Sequence, residues 1–170
     1  DTYLAIQTDG SAAVVFGSGK EEFFEWNSFY ATFAAGDPRV KSTLVTVTGQ
    51  AWDYEFATKD GLNYRFDSGG FLLEIADRND QKLTFDQTGG YLNSVTDPGG
   101  RTITFGYDGN GMLESVEDPD GFVIAYSYDG NGNLVAVDMP NDQRTEYAYS
   151  RHRLIEIRER TGEDLLSSTM

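Results

Sequence analysis

Residues 86–107 read DQTGGYLNSVTDPGGRTITFGY, and the two stretches that follow repeat this pattern with small changes. Residues 108–128 read DGNGMLESVEDPDGFVIAYSY, and residues 129–149 read DGNGNLVAVDMPNDQRTEYAY. Each copy opens on a turn sequence, runs through a leucine and a valine, crosses a second turn and closes on an aromatic pair. A fixed period of about 20 residues is the sequence signature of a repeat architecture. The chain is therefore expected to fold as a series of similar units.

Two kinds of turn separate the extended segments of each copy. Asp108–Gly111 and Asp129–Gly132 read Asp-Gly-Asn-Gly, whereas Asp97–Gly100 and Asp118–Gly121 begin with Asp-Pro. Asn-Gly and Asp-Gly accept the positive φ that tight hairpins need. Proline after aspartate presets φ for a β-turn. Each copy is therefore expected to be one antiparallel hairpin, and hairpins in series predict an all-β, open and twisted meander.

The strands between these turns show the alternation of an antiparallel sheet. The two aromatic residues that close each copy fall on the same face of their strand, because side chains in a strand alternate between its faces. Leu113 and Val116 are three apart, so either the leucine belongs to the turn or a β-bulge re-aims it. The residues that define the repeat are Leu92, Val95, Asp97, Pro98, Phe105, Tyr107, Leu113, Val116, Asp118, Pro119, Tyr126, Tyr128, Leu134, Val137, Tyr147 and Tyr149.

The period divides the chain into three segments. It can be followed over residues 58–160 in units of 20–21 residues. Residues 1–57 keep strand character without the period and are expected to form a β-rich N-terminal cap, because repeat stacks need atypical ends. Within this cap, residues 27–35 are compatible with a helical turn or an aromatic loop. Residues 161–170 are expected to be a tail or the start of a further repeat.

Composition excludes several classes of partner. Thirteen Lys and Arg against 28 Asp and Glu give a net charge of −15, which opposes nucleic-acid backbones and anionic membrane surfaces. The chain has no cysteine, and no apolar run approaches the roughly 20 residues of a membrane span. Because it starts with Asp1 rather than Met, we expect it to be a segment of a longer protein.

Two segments resemble the YD repeat of the Rhs family: YDGNGNL at residues 128–134 and DPGGRTITFGYD at residues 97–108. KDGLNYRFD at residues 59–67 resembles the entry segment of long Rhs and wall-associated proteins. The resemblance implies an antiparallel sheet that spirals into a hollow shell. Such shells enclose a toxin polypeptide in bacterial Rhs proteins and insecticidal toxin complexes, and serve adhesion in teneurins. A full shell needs more repeats than this chain has, and the family's self-cleaving aspartate motif has no counterpart here.

Five aromatic residues are candidates for facing a ligand. Trp52 alternates with Tyr54 and Phe56, which predicts that the three share one face. The tyrosines that close the repeats offer flat apolar rings with a polar tip, as a sugar-binding platform does. The interpretation we favour is that they fill the packed or shell-facing side of the sheet. The candidates are Trp52, Tyr126, Tyr128, Tyr147 and Tyr149.

No catalytic, metal or cofactor site is predicted. The spacing of Asp129, Asn131 and Asn133 opens like a calcium loop, but the required glycine and acid are absent from the positions that follow. A serine triad and a phosphate loop lack their motifs. The arginines at positions 151, 153, 158 and 160 either contact a polyanionic partner or, as we favour, pair with Glu156, Glu159 and Glu163.

The function predicted from these features is structural and non-catalytic: a segment of an Rhs-type shell that encloses or presents a polypeptide toxin cargo. The protein is then expected to be a secreted or cell-surface bacterial product that neither binds nucleic acid nor inserts into a membrane. Its expected partners are the cargo and further repeats of the same polypeptide. Open sheet edges, either the strand near residues 154–159 or the N-terminal edge, also predict self-association. The alternative is an extracellular adhesin or carbohydrate-binding module that uses exposed tyrosines.

Overall fold

The computed structural model describes the backbone of residues 2–161 and 164–169 and the side chains of residues 2–160. The chain divides into two compact units, residues 1–101 and residues 102–170. Strands make up nearly all regular structure, joined by one 3₁₀ turn at Thr88–Gly90. In the part of the chain described, no helix is long and apolar enough to span a membrane. The predicted all-β, antiparallel fold class is confirmed.

The first unit contains two antiparallel groups of strands. A four-stranded sheet, which we call the covering sheet, has the order β1-β2-β3-β4. Six further strands follow one another side by side in chain order. The covering sheet consists of β1 (Tyr3–Ile6), β2 (Ala12–Val15), β3 (Glu21–Asn27) and β4 (Thr32–Ala35); the other strands are β5 (Thr43–Thr46), β6 (Tyr54–Ala57), β7 (Asn63–Phe66), β8 (Leu72–Ala76), β9 (Lys82–Asp86) and β10 (Ser94–Thr96).

The core of the first unit lies between these two groups of strands. Phe24 of the covering sheet meets Phe56 of β6 edge to face, with ring centroids 5.9 Å apart. At the margin of this core, the backbone N–H of Leu4 donates to the carbonyl oxygen of Gly70 at 2.9 Å. The buried apolar side chains that pack together in this core are Leu4, Ala12, Val14, Phe24, Leu44, Phe56, Phe66 and Leu72.

The second unit is an antiparallel run of strands in chain order. Its strands are β11 (Thr102–Tyr107), β12 (Leu113–Glu117), β13 (Val123–Tyr128), β14 (Leu134–Asp138), β15 (Gln143–Ser150), β16 (Arg153–Thr161) and β17 (Asp164–Thr169). The prediction that residues 154–159 form an open edge is wrong, because β16 pairs with β15 on one side and with β17 on the other. Residues 161–170 lack the repeat pattern, so the sequence left them open between a tail and the start of a further repeat.

The two kinds of turn predicted from the sequence share one geometry. In both, Oδ1 of the first aspartate accepts hydrogen bonds from the backbone N–H groups two and four residues later, at 2.8–2.9 Å for Asp97 and Asp108. Only the fourth residue needs a left-handed backbone, with φ of 81° at Gly100 and 80° at Gly111. Proline and glycine are therefore interchangeable at the second position. The turn aspartates are Asp67, Asp77, Asp97, Asp108, Asp118 and Asp129.

These hydrogen bonds stabilise the ionised form of the turn carboxylates. The bond from the backbone N–H four residues later is the main reason that the pKa values of Asp77, Asp97 and Asp108 are lowered. At Asp129 the side chain of Asn133 contributes most to the lowered pKa. A carboxylate that accepts N–H bonds favours its charged form, so the turns are best formed at a pH where these groups are ionised.

A β-bulge recurs at the closing aromatic residue of the repeats. In the β11–β12 pair, Phe105 lies opposite Val116 but Tyr107 lies opposite Leu113, so β12 contains one extra residue. The same one-residue register shift occurs in the pairs β13–β14, β15–β16 and β7–β8. The spacing of Leu113 and Val116 is therefore explained by the bulge, which brings both side chains to one face.

Two features of the predicted N-terminal cap take a definite form. Residues 28–31 form the turn of the β3–β4 hairpin, in which Asn27 pairs with Thr32. The prediction that Trp52 shares a face with Phe56 is wrong. Strand β6 begins only at Tyr54, and the Trp52 ring lies 4.2 Å from the guanidinium of Arg65. Arg65 pairs with Glu55, the neighbour of Phe56, and therefore lies on the opposite face of the sheet.

Candidate functional site

In the second unit the apolar repeat residues lie on one face of the sheet. Val116 lies opposite Ile124, and Tyr126 lies opposite Val137. Each bulge then adds a tyrosine opposite a leucine, as in the pair Tyr128 and Leu134. We call this surface the aromatic face; it consists of Phe105, Tyr107, Leu113, Val116, Ile124, Tyr126, Tyr128, Leu134, Val137, Tyr147 and Tyr149.

The aromatic face is only half-buried. Among its side chains Val137 is buried, whereas the others keep part of their surface accessible. The equivalent repeat residues of the first unit, Phe66 and Leu72, are 0% and 5% exposed because the covering sheet packs on them. The same repeat position thus serves as core in one unit and as accessible apolar surface in the other.

The second tyrosine of the repeat also bonds to the backbone of a neighbouring strand. The Tyr128 hydroxyl donates to the carbonyl oxygen of Leu113 at 2.9 Å. Leu113 lies beyond the segment of β12 that pairs with β13, which begins at Ser115. In the first unit, Nε2 of Gln87 donates to the equivalent carbonyl, that of Leu72, at 2.8 Å. A side-chain donor at this position therefore supplies a hydrogen bond to a backbone carbonyl that lies outside the paired part of the strand.

The environment of Tyr128 follows from this placement. Burial against the sheet, with smaller contributions from Tyr126 and Asp108, raises the pKa of its hydroxyl. The hydroxyl therefore stays protonated and donates its hydrogen bond throughout the neutral range. This bond was not predicted from the sequence, although the 15-residue separation between Tyr128 and Leu113 is the same as that between Gln87 and Leu72.

The opposite face of the second unit carries charge. Nη1 of Arg144 donates to both carboxylate oxygens of Asp138 at 2.8 Å, and its Nε donates to Glu146 at 3.1 Å. Arg158 binds Glu156 through two hydrogen bonds at 2.8 and 2.9 Å. Arg160 lies 3.4 Å from Glu146.

These contacts bear on the predicted arginine cluster. Arg158 makes its expected ion pair with Glu156, whereas Arg160 pairs with a glutamate of β15 that sequence reasoning did not name. Glu163 lies outside the described residues. Arg151 and His152 form the two-residue turn between β15 and β16, with φ of 52° and 63°.

The other candidate residues belong to other elements of the chain. Leu92, Val95, Asp97 and Pro98 belong to the first unit, and Asp118 and Pro119 stand in the β12–β13 turn. Trp52, also in the first unit, is half-buried under Arg65, which binds Glu55 and Glu74 at 3.2 and 2.7 Å. Within residues 2–160, no three acidic or histidine side chains are grouped closely enough to hold a metal ion.

This geometry defines a β-hairpin-repeat protein whose second unit has one apolar and one charged face. The RHS repeat family model matches residues 92–123, 107–144 and 128–164. These matches cover residues 92–164, and over that part of the chain the predicted resemblance to the Rhs/YD-repeat family is confirmed. No curated protein sequence matches it.

Three solved structures of toxin complexes are similar to the chain. The crystal structure of TcdB2-TccC3-TEV has a TM-score of 0.62 at 17% identity over 98% of this chain. TcdB2-TccC3 without its hypervariable C-terminal region gives 0.58 at 17% over 96%, and a Tc holotoxin pore of Photorhabdus luminescens gives 0.56 at 18% over 96%. This chain spans 10% of the length of each of those chains. At these identities the likeness establishes the fold.

Proposed function

We propose that this chain is a wall segment of an Rhs-type shell and that its aromatic face contacts a polypeptide cargo held by that shell. The observation that carries the proposal is the two-sided character of the second unit. From Phe105 on β11 to Tyr149 on β15, the aromatic face has no charged residue, whereas the opposite face carries the Asp138–Arg144–Glu146 ion pairs. A wall needs such an asymmetry between the side that meets an apolar chain and the side that meets water.

The first unit supports the choice of a polypeptide as the contacting group. There the equivalent apolar face is covered by a polypeptide, namely the chain's own covering sheet, which buries Phe56 and Phe66 completely. The contact is made by apolar and aromatic side chains, including Phe16, whose ring lies 6.0 Å from that of Tyr64. Burying an apolar side chain of this size contributes about 1.5–3 kcal/mol, so a cargo segment that covers the aromatic face gains comparable stabilisation.

The setting we propose is a larger bacterial protein that is secreted or displayed at the cell surface. The toxin-complex chains that share the fold are about ten times as long as this segment, since it covers 10% of them. Further repeats would then continue the wall. The role proposed for this segment is structural, without catalysis, a cofactor or a metal.

The experiment measures binding of a permanently unfolded polypeptide. A fluorescently labelled polypeptide, reduced and carbamidomethylated, is titrated with the full chain, and its anisotropy is recorded. We expect saturable binding that is weakened by Tyr126→Ser and by Tyr147→Ser, both on the aromatic face. Val123→Ser is the matched control, because Val123 is 42% exposed on the opposite face. Absence of binding, or equal weakening by the control, would refute the proposal.

A glycan ligand is the alternative that the partly accessible rings of Tyr126 and Tyr147 favour. Aromatic rings on a strand present the flat apolar surface that sugars stack on. Titration of the same variants with a panel of neutral polysaccharides separates the two. Tyrosine-dependent binding of a polysaccharide, together with no binding of the unfolded polypeptide, would replace the cargo proposal with the carbohydrate-binding one.

A further inference from the structure

The β3–β4 hairpin of the first unit ends in an exposed pair of aromatic rings. Phe29 is 86% exposed and Tyr30 is 69% exposed, more than any other large apolar side chain described. Their ring centroids are 4.9 Å apart at an interplanar angle of 87°, so the two rings support each other edge to face. We call this pair the aromatic tip.

The backbone of the hairpin holds the aromatic tip in place. Oδ1 of Asn27 accepts hydrogen bonds from the backbone N–H groups of Phe29 and Tyr30, both at 3.1 Å. Ala31 closes the turn with φ of 50°, a left-handed conformation that is unfavourable for alanine. An ordered loop that combines backbone strain with two exposed aromatic rings is characteristic of a binding element.

The aromatic tip lies in an uncharged part of a strongly charged chain. From Trp26 to Gly36 there is no Asp, Glu, Lys or Arg, although the whole chain carries −15. The aromatic face of the second unit is likewise free of charge between Phe105 and Tyr149. Two copies of an acidic protein repel each other except where their contact excludes charged groups. The tip and the face meet that condition.

We infer that the aromatic tip of one copy inserts into the aromatic face of a second copy. The covering sheet already demonstrates the chemistry, because Phe16 and Phe24 pack edge to face on Phe56 at 5.9 Å in each case. The aromatic face of the second unit offers the same repeat positions with part of their surface accessible. The inference rests on the same face as the proposed function but gives it a different occupant.

The size and symmetry of this contact determine the kind of association. Two aromatic side chains bury about 150–250 Å² each, which is well below the roughly 800 Å² per partner of a stable interface. The association is therefore weak and concentration-dependent. Because the tip and the face are different surfaces, the contact is head to tail, and each copy that joins still offers a tip or a face to a further copy.

Sedimentation equilibrium from about 10 μM to 1 mM tests the inference. The wild-type mass is expected to rise steadily with concentration, whereas the double variant Phe29→Ser/Tyr30→Ser associates at least about tenfold more weakly. The matched control is Phe23→Ser/Phe71→Ser, which removes two other exposed rings, 51% and 43% exposed, and keeps wild-type behaviour. A monomeric wild type, or association that survives loss of the tip, would overturn the inference; the latter outcome would assign it to strand edges.

A mixing experiment tests the head-to-tail geometry and separates this inference from the proposed function. A face variant, Tyr147→Lys, and the tip variant are each expected to associate at least about tenfold more weakly than the wild type, whereas their mixture forms 1:1 dimers that grow no further. A mixture that stays monomeric would contradict the geometry. The tip variant retains its aromatic face, so it is expected to bind the unfolded polypeptide normally. Loss of polypeptide binding by the wild type with intact self-association would refute the cargo proposal alone.

Discussion

Replacing Gly70 by alanine is expected to release the covering sheet from the first unit. Gly70 has φ of 83°, and a Cβ built on it lies 2.0 Å from the carbonyl oxygen of Leu4. The left-handed backbone alone costs an alanine about 1–2 kcal/mol. The clash involves backbone on both sides, so it is relieved only if β1 moves away.

Movement of β1 has two further costs. It breaks the hydrogen bond from Leu4 N–H to Gly70, worth about 0.5–1.5 kcal/mol. It also withdraws the Leu4 side chain, which is 2% exposed, from a core position worth up to about 2–3 kcal/mol. Gly70→Ala is therefore expected to lower the free energy of unfolding by about 2–4 kcal/mol more than a substitution that suffers only the backbone strain.

Gly100 provides the matched control for this substitution. It occupies the same position in an equivalent turn, with φ of 81°, and has nothing within 4 Å of its Cβ direction. Urea unfolding followed by tryptophan fluorescence reports on the first unit, since both Trp26 and Trp52 lie in it. Equal destabilisation by Gly70→Ala and Gly100→Ala would refute the reasoning. Asparagine variants refine the comparison, because asparagine tolerates the left-handed backbone but keeps the clash at Gly70.

Three further predictions concern other contacts. Tyr128→Phe leaves the Leu113 carbonyl without its hydroxyl donor and is expected to lower the free energy of unfolding by about 1 kcal/mol in urea titrations, with the Tyr126→Phe variant as a control closer to wild type. The turn aspartates with lowered pKa values stabilise the fold above their ordinary pKa of about 4. This stabilisation is lost as pH falls through the lowered values, so the unfolding midpoint should drop on acidification below about pH 4 and stay level from pH 5 to 7. Arg65→Met leaves Glu55 and Glu74 without their shared cation and is expected to cost about 1–3 kcal/mol in thermal and urea unfolding.

Local patterns explain why the hairpins could be predicted from the sequence. The aspartate that opens each turn accepts a hydrogen bond from the backbone within four residues, as Asp108 does from Met112. The sequence pattern that predicts the turn is therefore contained in a short segment. The alternation of Tyr126 and Tyr128 likewise needs no distant partner to place both rings on one face. The repeat family, the antiparallel pairing and the membership of most of the aromatic face follow from such local rules.

Features that depend on distant parts of the chain were not predictable. Nothing near Gly70 in the sequence indicates that Leu4 approaches it. In the sequence, Trp52 continues the alternation of Tyr54 and Phe56. In the structure the strand begins only at Tyr54, and the Trp52 ring packs against the guanidinium of Arg65 on the opposite face of the sheet. Strand β17 lacks the repeat pattern, and its pairing with β16 is what removes the edge expected near residues 154–159.

The recurring bulge has a consequence for how proteins of this kind can change in length. One extra residue in β12, β14 and β16 lets a leucine and a valine, or in β16 a leucine and an isoleucine, share a face although they are three positions apart. Deleting Glu114 would remove the bulge but leave Leu113 and Val116 on one face, because they would then be two positions apart. Deleting Ala125 from β13, which has no bulge, would instead turn Ile124 toward the charged side, since a shift of one residue inverts every side chain in a strand. Gain or loss of a whole repeat keeps the bulge in phase and preserves the apolar side. Length variation is therefore expected to be tolerated in steps of 20–21 residues within the strands, with shorter insertions confined to the turns.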